Sequence, residues 1–401
     1  MSPRRIMVIA GETSGDMLAA DLVTALRTQT TAESNDSANP LKPRAGLALE
    51  FFGAGGSRMA AAGVEIAVDM SPHAVTGLWE VLKRYGKFKQ LLNTLFQLAL
   101  DRKPDLIICV DYSGFNRRLA AKIKNYLRSS PGTSSNWNPK IIQYVSPQVW
   151  ASRPGRANEM PSAYDLLLTI FPFEKDWYTA RVPQLKVEFV GNPILDRFKA
   201  AAGTINPNKP SAGPLLLLLP GSRLGELKQH LPVLLPALEL IRSKRPDVQA
   251  RMILPDESLL NQTHSMELPA DLEVQIGNLA DSLAQADVAL ASTGTVTMEC
   301  AYFGVPTVAM YKTSWLTYQI GRRLITVDYM AMPNILANEP VFPEFLQYEA
   351  TPENISRAAL ELLEDKSRQL EIKGKLRKVI ASLGETGASF RAAEALLKFL
   401  A

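Results

Sequence analysis

Cysteine and histidine are nearly absent from this chain. Cys109 and Cys300 stand far apart in apolar surroundings, which offers neither a disulfide framework nor a metal spacing and reads as two buried thiols. His73, His230 and His264 share no HxxH or HxxxH spacing, so no metal site is expected. Long apolar runs are missing too. The longest, 166–173 and 215–219, fall far short of the ~20 residues that cross a bilayer. Arg4 and Arg5 precede an apolar run, but it meets Glu12 and Asp16 almost at once. That fits a first β-strand rather than a signal peptide, and the expectation is a chain that stays in the cytoplasm. Chemistry must then come from carboxylates, hydroxyls, backbone amides and arginines.

What is present suits two globular domains: 401 residues, 46% of them hydrophobic and 21% charged, enough to bury two cores. The net charge of +4 is unevenly spread, because 11 Lys and Arg stand against 4 Asp and Glu between Ser71 and Arg128. A local basic excess points either to an anionic partner or to a solvated helix face.

Short apolar strands alternate with helical patterns along most of the chain. Strands are expected at 6–10, 49–52, 106–110, 141–145, 166–171 and 187–190, then at 215–219, 251–254, 272–276, 288–291 and 307–310. Residues 200–213 interrupt the pattern with Gly, Pro, Asn and Ser, as a linker does. The alternation predicts an α/β protein of two tandem, doubly wound, Rossmann-like domains with an interdomain cleft. The stretch 28–44, rich in Thr, Ser, Asn and Pro, reads as a surface loop.

Loops at strand ends carry the candidate chemistry. Gly11-Glu12-Thr13-Ser14-Gly15-Asp16 follows the first strand and opens a helix, where amides and the helix dipole favour an anion. It is not GxGxxG, which argues against a dehydrogenase. Asp111 ends the strand 106–110. A carboxylate there faces the ligand crevice and suits a general base, with a helix cap as the plainer alternative. In the second half, Gly221, Ser222 and Arg223 offer a glycine turn, a hydroxyl and a guanidinium at a helix start, a set that suits a diphosphate. Thr293, Gly294 and Thr295 form a second such loop, with Glu299 behind it to accept ribose hydroxyls. Two such loops favour a nucleotide-sugar site.

One predicted helix is basic and amphipathic. Leu78, Val81, Leu82, Tyr85 and Phe88 begin an apolar stripe that continues to Ala99, Trp79 lies off it, and Lys83, Arg84, Lys87 and Lys89 crowd the other side. Such a segment either lies in an anionic membrane interface or forms a core helix with a solvated basic face.

Taken in order, several motifs resemble those of the lipid-A-disaccharide synthases. They are 11–16, Tyr144-Val145-Ser146-Pro147-Gln148-Val149-Trp150, Pro172-Phe173-Glu174, Pro220-Gly221-Ser222-Arg223, Gly294-Thr295 with Glu299, Met332-Pro333-Asn334-Ile335-Leu336, and Glu344 with Gln347. The resemblance implies an inverting UDP-sugar glycosyltransferase of GT-B fold that needs no metal or cofactor. Its expected substrates are UDP-2,3-diacylglucosamine and 2,3-diacylglucosamine 1-phosphate (lipid X), at the inner face of the cytoplasmic membrane. By the same resemblance, Asp111 is the base and Arg223 offsets charge on the departing diphosphate. Asn334, Glu344 and Gln347 lie near the nucleotide sugar, the 11–16 loop with Ser146 and Trp150 belongs to the acceptor side, and a homodimer is suggested. The domain expectation becomes 1–199 for the acceptor and membrane, 200–213 as linker, 214–365 for the UDP-sugar, and 366–401 as helices returning toward the N-terminal domain.

The chain departs from the family pattern at Ser113-Gly114, where Pro-Asp is usual, at Ser152 for Trp, at Asn192 for His and at Thr293 for Ser. The first three bear on acyl-chain length and acceptor identity. Two alternatives stay open: a GT-B transferase with another lipid acceptor, and a non-catalytic paralogue that binds nucleotide sugar or lipid. Nucleic acid is not an expected partner, since no RNP, helix-turn-helix or finger pattern occurs.

Overall fold

The computed structural model describes residues 3–11, 13–31, 47–70, 85–129, 137–199, 213–263 and 268–400. Its strands form two sheets. One has seven strands in the order β3-β2-β1-β4-β5-β6-β7, the other six in the order β10-β9-β8-β11-β12-β13, and every pairing is parallel. In the first sheet the strands are β1 (Arg4–Ala10), β2 (Leu49–Gly55), β3 (Glu65–Asp69), β4 (Leu106–Val110), β5 (Lys140–Tyr144), β6 (Leu166–Thr169) and β7 (Lys186–Phe189). The second holds β8 (Leu215–Leu219), β9 (Gln249–Leu254), β10 (Glu273–Ile276), β11 (Val288–Ser292), β12 (Thr307–Tyr311) and β13 (Glu344–Leu346).

Parallel strands joined through helices are covered on both faces, which is why the central ones read as unbroken apolar runs. Every residue of β4, β8 and β11 is buried. Alternate side chains then serve opposite layers. Ile6, Val8 and Ala10 of β1 join Leu22, Leu26 and Leu396 on one face. Met7 and Ile9 join Leu95, Leu119 and Ile123 on the other. Both cysteines are buried and free, and burial pushes the Cys300 thiol up to about 12.

The chain falls into two units, Met1–Pro193 with Glu385–Ala401, and Ile194–Gly384. The division comes before residue 199 because Phe198 packs on Tyr302 and Phe303, with ring centroids 5.4 and 5.2 Å apart. Of the expected linker 200–213, only Gly213 lies among the described residues. Past residue 365 the helix Lys366–Ser382 groups with the second unit. The helix Ala388–Leu397 groups with the first, its Leu396 and Ala392 sharing the core under β1. Arg391 fastens it, with Nε donating to the Val190 carbonyl at 2.8 Å and both terminal nitrogens donating to the Glu385 and Thr386 carbonyls.

Two strands are not among those expected from the sequence, β3 and β13. Both are edge strands. β3 alternates exposed and half-buried residues, and β13 is three half-buried residues long, so neither shows an apolar run. Among the described residues no helix is long and apolar enough to cross a membrane.

Gly53 marks the tightest point of the first sheet. Its φ of 154° accompanies a register shift against β3, and a Cβ there would sit 1.9 Å from the Val8 carbonyl oxygen. Gly53→Ala must therefore push β1 and β2 apart, and a loss of more than about 4 kcal/mol is expected in urea unfolding. A variant as stable as the native chain would contradict this placement.

Candidate active site

In each sheet the strand order reverses beside the first strand, between β1 and β4 and between β8 and β11. Loops leaving the carboxyl ends there turn to opposite faces and open a crevice. The sequence-predicted loops hang at these two points.

In the first unit, Gly15 lies against Asp111: a Cβ on Gly15 would stand 3.7 Å from the Asp111 Cβ. Gly11 lies under the Tyr112 ring, which a Cβ would meet at 2.3 Å. Thr13 and Ser14 are exposed, Gly11 and Gly15 are buried, and Glu12 lies outside the described residues. Asp16 turns inward. Its carboxylate accepts the backbone N–H of Gly56 at 2.7 Å, Arg58 at 3.0 Å and Met59 at 3.2 Å. It thereby caps the helix Ser57–Ala61 and ties the loop after β1 to the loop after β2.

Asp111, Tyr112 and Val145 all have positive φ, at 49°, 40° and 65°. Side chains rarely adopt this left-handed region, and it persists only where surroundings enforce it. Here Gln143 enforces it. Buried on β5, its Nε2 donates to the carbonyls of Asp111 at 2.9 Å and Val145 at 3.1 Å. Asn116 Nδ2 donates to the same Asp111 carbonyl at 2.8 Å. Two amide side chains thus hold the Asp111 backbone, while its own side chain is half-buried at the crevice.

The segment after β5 is held from below by Glu174, a residue to which the sequence alone assigns no role. Trp150 Nε1 donates to Glu174 Oε1 at 3.0 Å and the Phe171 N–H donates to Oε2 at 3.1 Å. Tyr178 donates its hydroxyl proton to the Pro147 carbonyl. Ser146, Trp150 and Glu174 are all buried. Burial raises the Glu174 carboxyl to about 7 against the hydrogen bonds from Trp150 and Phe171.

Of the predicted membrane segment, Leu78, Trp79, Leu82, Lys83 and Arg84 lie outside the described residues, as does the Tyr85 side chain. The described helix is Tyr85–Arg102. Phe88 is turned inward, edge-on to Phe115 at 5.1 Å with the Arg118 guanidinium 5.2 Å from its ring, whereas Lys87 is exposed.

In the second unit, Gly221 has φ 121°, and a Cβ would meet Glu226 Oε2 at 2.3 Å. That carboxylate accepts the Ser222 N–H at 3.0 Å and reaches Arg223 Nη1 at 3.5 Å. The Arg223 side chain stays 46% exposed at the start of the helix Leu224–Lys244. His230 braces this loop from within. The Lys312 N–H donates to its Nε2 at 3.1 Å, so Nδ1 carries the proton and donates to the Pro220 carbonyl at 2.6 Å. Burial lowers its pKa, consistent with a neutral ring.

The loop of Thr293 and Gly294 leads into the helix Thr295–Tyr302. Thr293 Oγ1 is buried and without a hydrogen-bond partner among the described residues. Glu299 pairs with Arg197 at 2.6 Å, and burial raises its pKa against that pairing. Asn334 and Glu344 form a closed set. Asn334 Nδ2 donates to Glu344 Oε1 at 2.7 Å and to the Phe342 carbonyl, and its Oδ1 accepts the Phe342 N–H. Glu344 also accepts the N–H groups of Met330 and Ala331. Gln347 copies a strand pairing by bonding both the N–H and the carbonyl of Thr313. These three residues stabilise loops; in this structure their polar atoms are engaged with backbone and with each other.

Residues 6–399 match the family model described as lipid-A-disaccharide synthetase. The chain belongs to that family. A lipid-A-disaccharide synthase of Geobacter sulfurreducens is 37% identical over 99% of this chain and 97% of the relative. Among solved structures, the UDP-GlcNAc 2-epimerase of Neisseria meningitidis superposes with TM-score 0.62 at 12% identity, covering 98% of this chain and 100% of the other. The calicheamicin glycosyltransferase CalG4 superposes with TM-score 0.56 at 15% identity, covering 100% and 99%. These likenesses show the fold, the pair of parallel-sheet α/β domains of the GT-B class. Membership of the lipid-A-disaccharide synthetase family makes the chain a glycosyltransferase.

Glu174 yields a pH prediction. An acid held at about 7 in the fold and 4.5 in free solution binds its proton more tightly when folded. Its contribution is therefore complete below 4.5 and lost as the pH rises through about 7, a decline on the order of 3 kcal/mol. Trp150 emission, taken as the difference between the native chain and Trp150→Phe, is expected to titrate with a midpoint near 7. Glu174→Gln should remove that midpoint. Emission unchanged across the neutral range would show that Glu174 does not ionise there.

Proposed function

We propose that the chain transfers 2,3-diacylglucosamine from its UDP derivative to the 6-hydroxyl of 2,3-diacylglucosamine 1-phosphate (lipid X). The products are a β-1′,6 disaccharide 1-phosphate and UDP. The observation that carries this reading is the left-handed Asp111 at the end of β4, its backbone held by Gln143 and Asn116 and its Cβ beside Gly15. A backbone conformation so costly, enforced by two buried amides, suits a carboxylate that must be aimed.

Asp111 takes the proton of the acceptor hydroxyl as its oxygen attacks the anomeric carbon. The bond from that carbon to the diphosphate oxygen breaks, UDP leaves with the electron pair, and the configuration inverts. Charge growing on the diphosphate needs donors already in place. Arg223 and the Ser222 hydroxyl are exposed at the start of one helix, and Thr293 Oγ1, Gly294 and Thr295 stand at the start of another. Arg223 offers a fixed positive charge there. Glu299 offers a carboxylate to the ribose on exchanging its Arg197 partner. Asn334, Glu344 and Gln347 support the sugar side by fixing the loops around residues 313 and 330. The basic segment from Leu78 through Lys87 draws the protein to an anionic membrane on its cytoplasmic face, while Phe88 anchors its end in the core.

Mass spectrometry of products from UDP-2,3-diacylglucosamine and lipid X tests the reaction directly, and a tetraacylated disaccharide 1-phosphate with UDP is expected. Asp111→Asn should lower transfer by about 100-fold or more while UDP binding stays within a few fold. Native-like turnover in that variant would remove Asp111 from the role of base. Arg223→Ala should weaken UDP affinity and turnover together, whereas unchanged values for both would move the diphosphate site elsewhere.

A further inference from the structure

The helix Trp315–Leu324 follows β12 in the second unit and buries none of its residues. Short helices in proteins owe their stability mainly to a buried apolar face, and this one keeps Trp315, Leu316 and Ile320 outside, with Tyr318 and Leu324 half-buried. Trp315 is 63% exposed, Leu316 60% and Ile320 40%. Ile325, just beyond the helix, and Tyr348, whose ring meets Tyr318 edge-on at 5.7 Å, are exposed as well. Trp315, Leu316 and Ile320 are thus three of the nine large apolar side chains exposed among the described residues, and all three stand on this one short helix. Scattered exposed hydrophobics need no explanation, but a cluster marks an interaction surface.

Geometry and charge say which kind. At about 100° per residue, Trp315, Leu316 and Ile320 share one side of the helix, with Arg323 among them and Arg322 at their border. Lys312, Arg322 and Arg323 are cationic, and no Asp or Glu occurs from 312 to 327. Indole settles at the headgroup level of a bilayer, aliphatic side chains enter just below it, and arginines reach along their stems to lipid phosphates. We propose that this helix is a docking surface for an anionic bilayer, with Trp315, Leu316 and Ile320 entering the headgroup layer and Arg322 and Arg323 meeting phosphates. The patch belongs to the second unit and is distinct in sequence from the basic segment of the first. The choice of a bilayer over another protein rests on the reading that the substrates are lipids.

The test is sedimentation of the full chain with vesicles of phosphatidylglycerol and phosphatidylcholine. Replacing Trp315, Leu316 and Ile320 together by Ser should lower partitioning about tenfold or more. Arg322→Glu with Arg323→Glu should lower it comparably on anionic vesicles and flatten its salt dependence. Brominated phosphatidylglycerol should quench the native chain more than Trp315→Phe. Since none of these side chains is buried, thermal unfolding of the variants should match the native chain, and transfer between detergent-dispersed substrates should stay within about twofold. If transfer fails in the native chain as well, the proposed reaction falls while the vesicle result still decides the surface. Partitioning and quenching that do not respond to these substitutions would overturn the proposal. So would a native oligomer that the triple Ser variant dissolves, which would make the patch a contact between copies.

Discussion

A parallel strand joined to its neighbours through helices has to bury both faces, and this requirement fixes where the chain can hold a ligand. The faces of both sheets are packed with helices, so polar chemistry is driven to the carboxyl edges. The edge opens where neighbouring loops diverge, beside β1 and β4 and beside β8 and β11. Asp111 and Gly15 meet at the first point. At the second, the loop of Ser222 and Arg223 and that of Thr293 leave the ends of two paired strands. The apolar sequence of the strands thus determines the location of groups that share none of their chemistry.

Holding such loops still is the work of buried amides and acids. A loop has no ladder of its own, and each backbone group it turns inward needs a partner. Gln143 supplies partners to two left-handed residues at once. Asp16 does so for the amino end of a neighbouring helix. Asn334 with Glu344, Gln347, His230 and Glu174 repeat the device elsewhere. Each binds main chain from a loop other than its own or fastens a helix start. Beside them Thr13, Ser14, Ser222 and Arg223 remain exposed.

The apolar runs made the two domains legible in the sequence, because a central strand such as β8, five leucines long, reads the same alone or in a sheet. The loops were legible for the same reason, since they begin where the runs stop. What stayed hidden depends on partners distant in sequence. Glu299 read as a ribose acceptor, and nothing near it announces Arg197, 102 residues away. Asp16, Asn334 and Gln347 read as ligand-facing, and nothing near them announces the loop groups they also bond, the Thr313 carbonyl 34 residues away in the last case. His230 looked solitary because its partners, the Pro220 carbonyl and the Lys312 N–H, are main-chain groups. Trp315, Leu316 and Ile320 escaped notice because an apolar residue carries no mark of whether it faces a core or solvent.

The helix Ala388–Leu397 completes the core beneath β1 with Ala392, Ala393 and Leu396, and the whole second unit lies between it and the rest of that core in chain order. During translation, therefore, the domain made first cannot close when its own strands emerge from the ribosome. It waits with Leu22 and Leu26 uncovered until the second domain has been synthesised, an interval in which exposed apolar surface invites chaperones. A single cut at the domain boundary would leave the same gap permanently, so dissecting this protein requires a splice rather than a truncation.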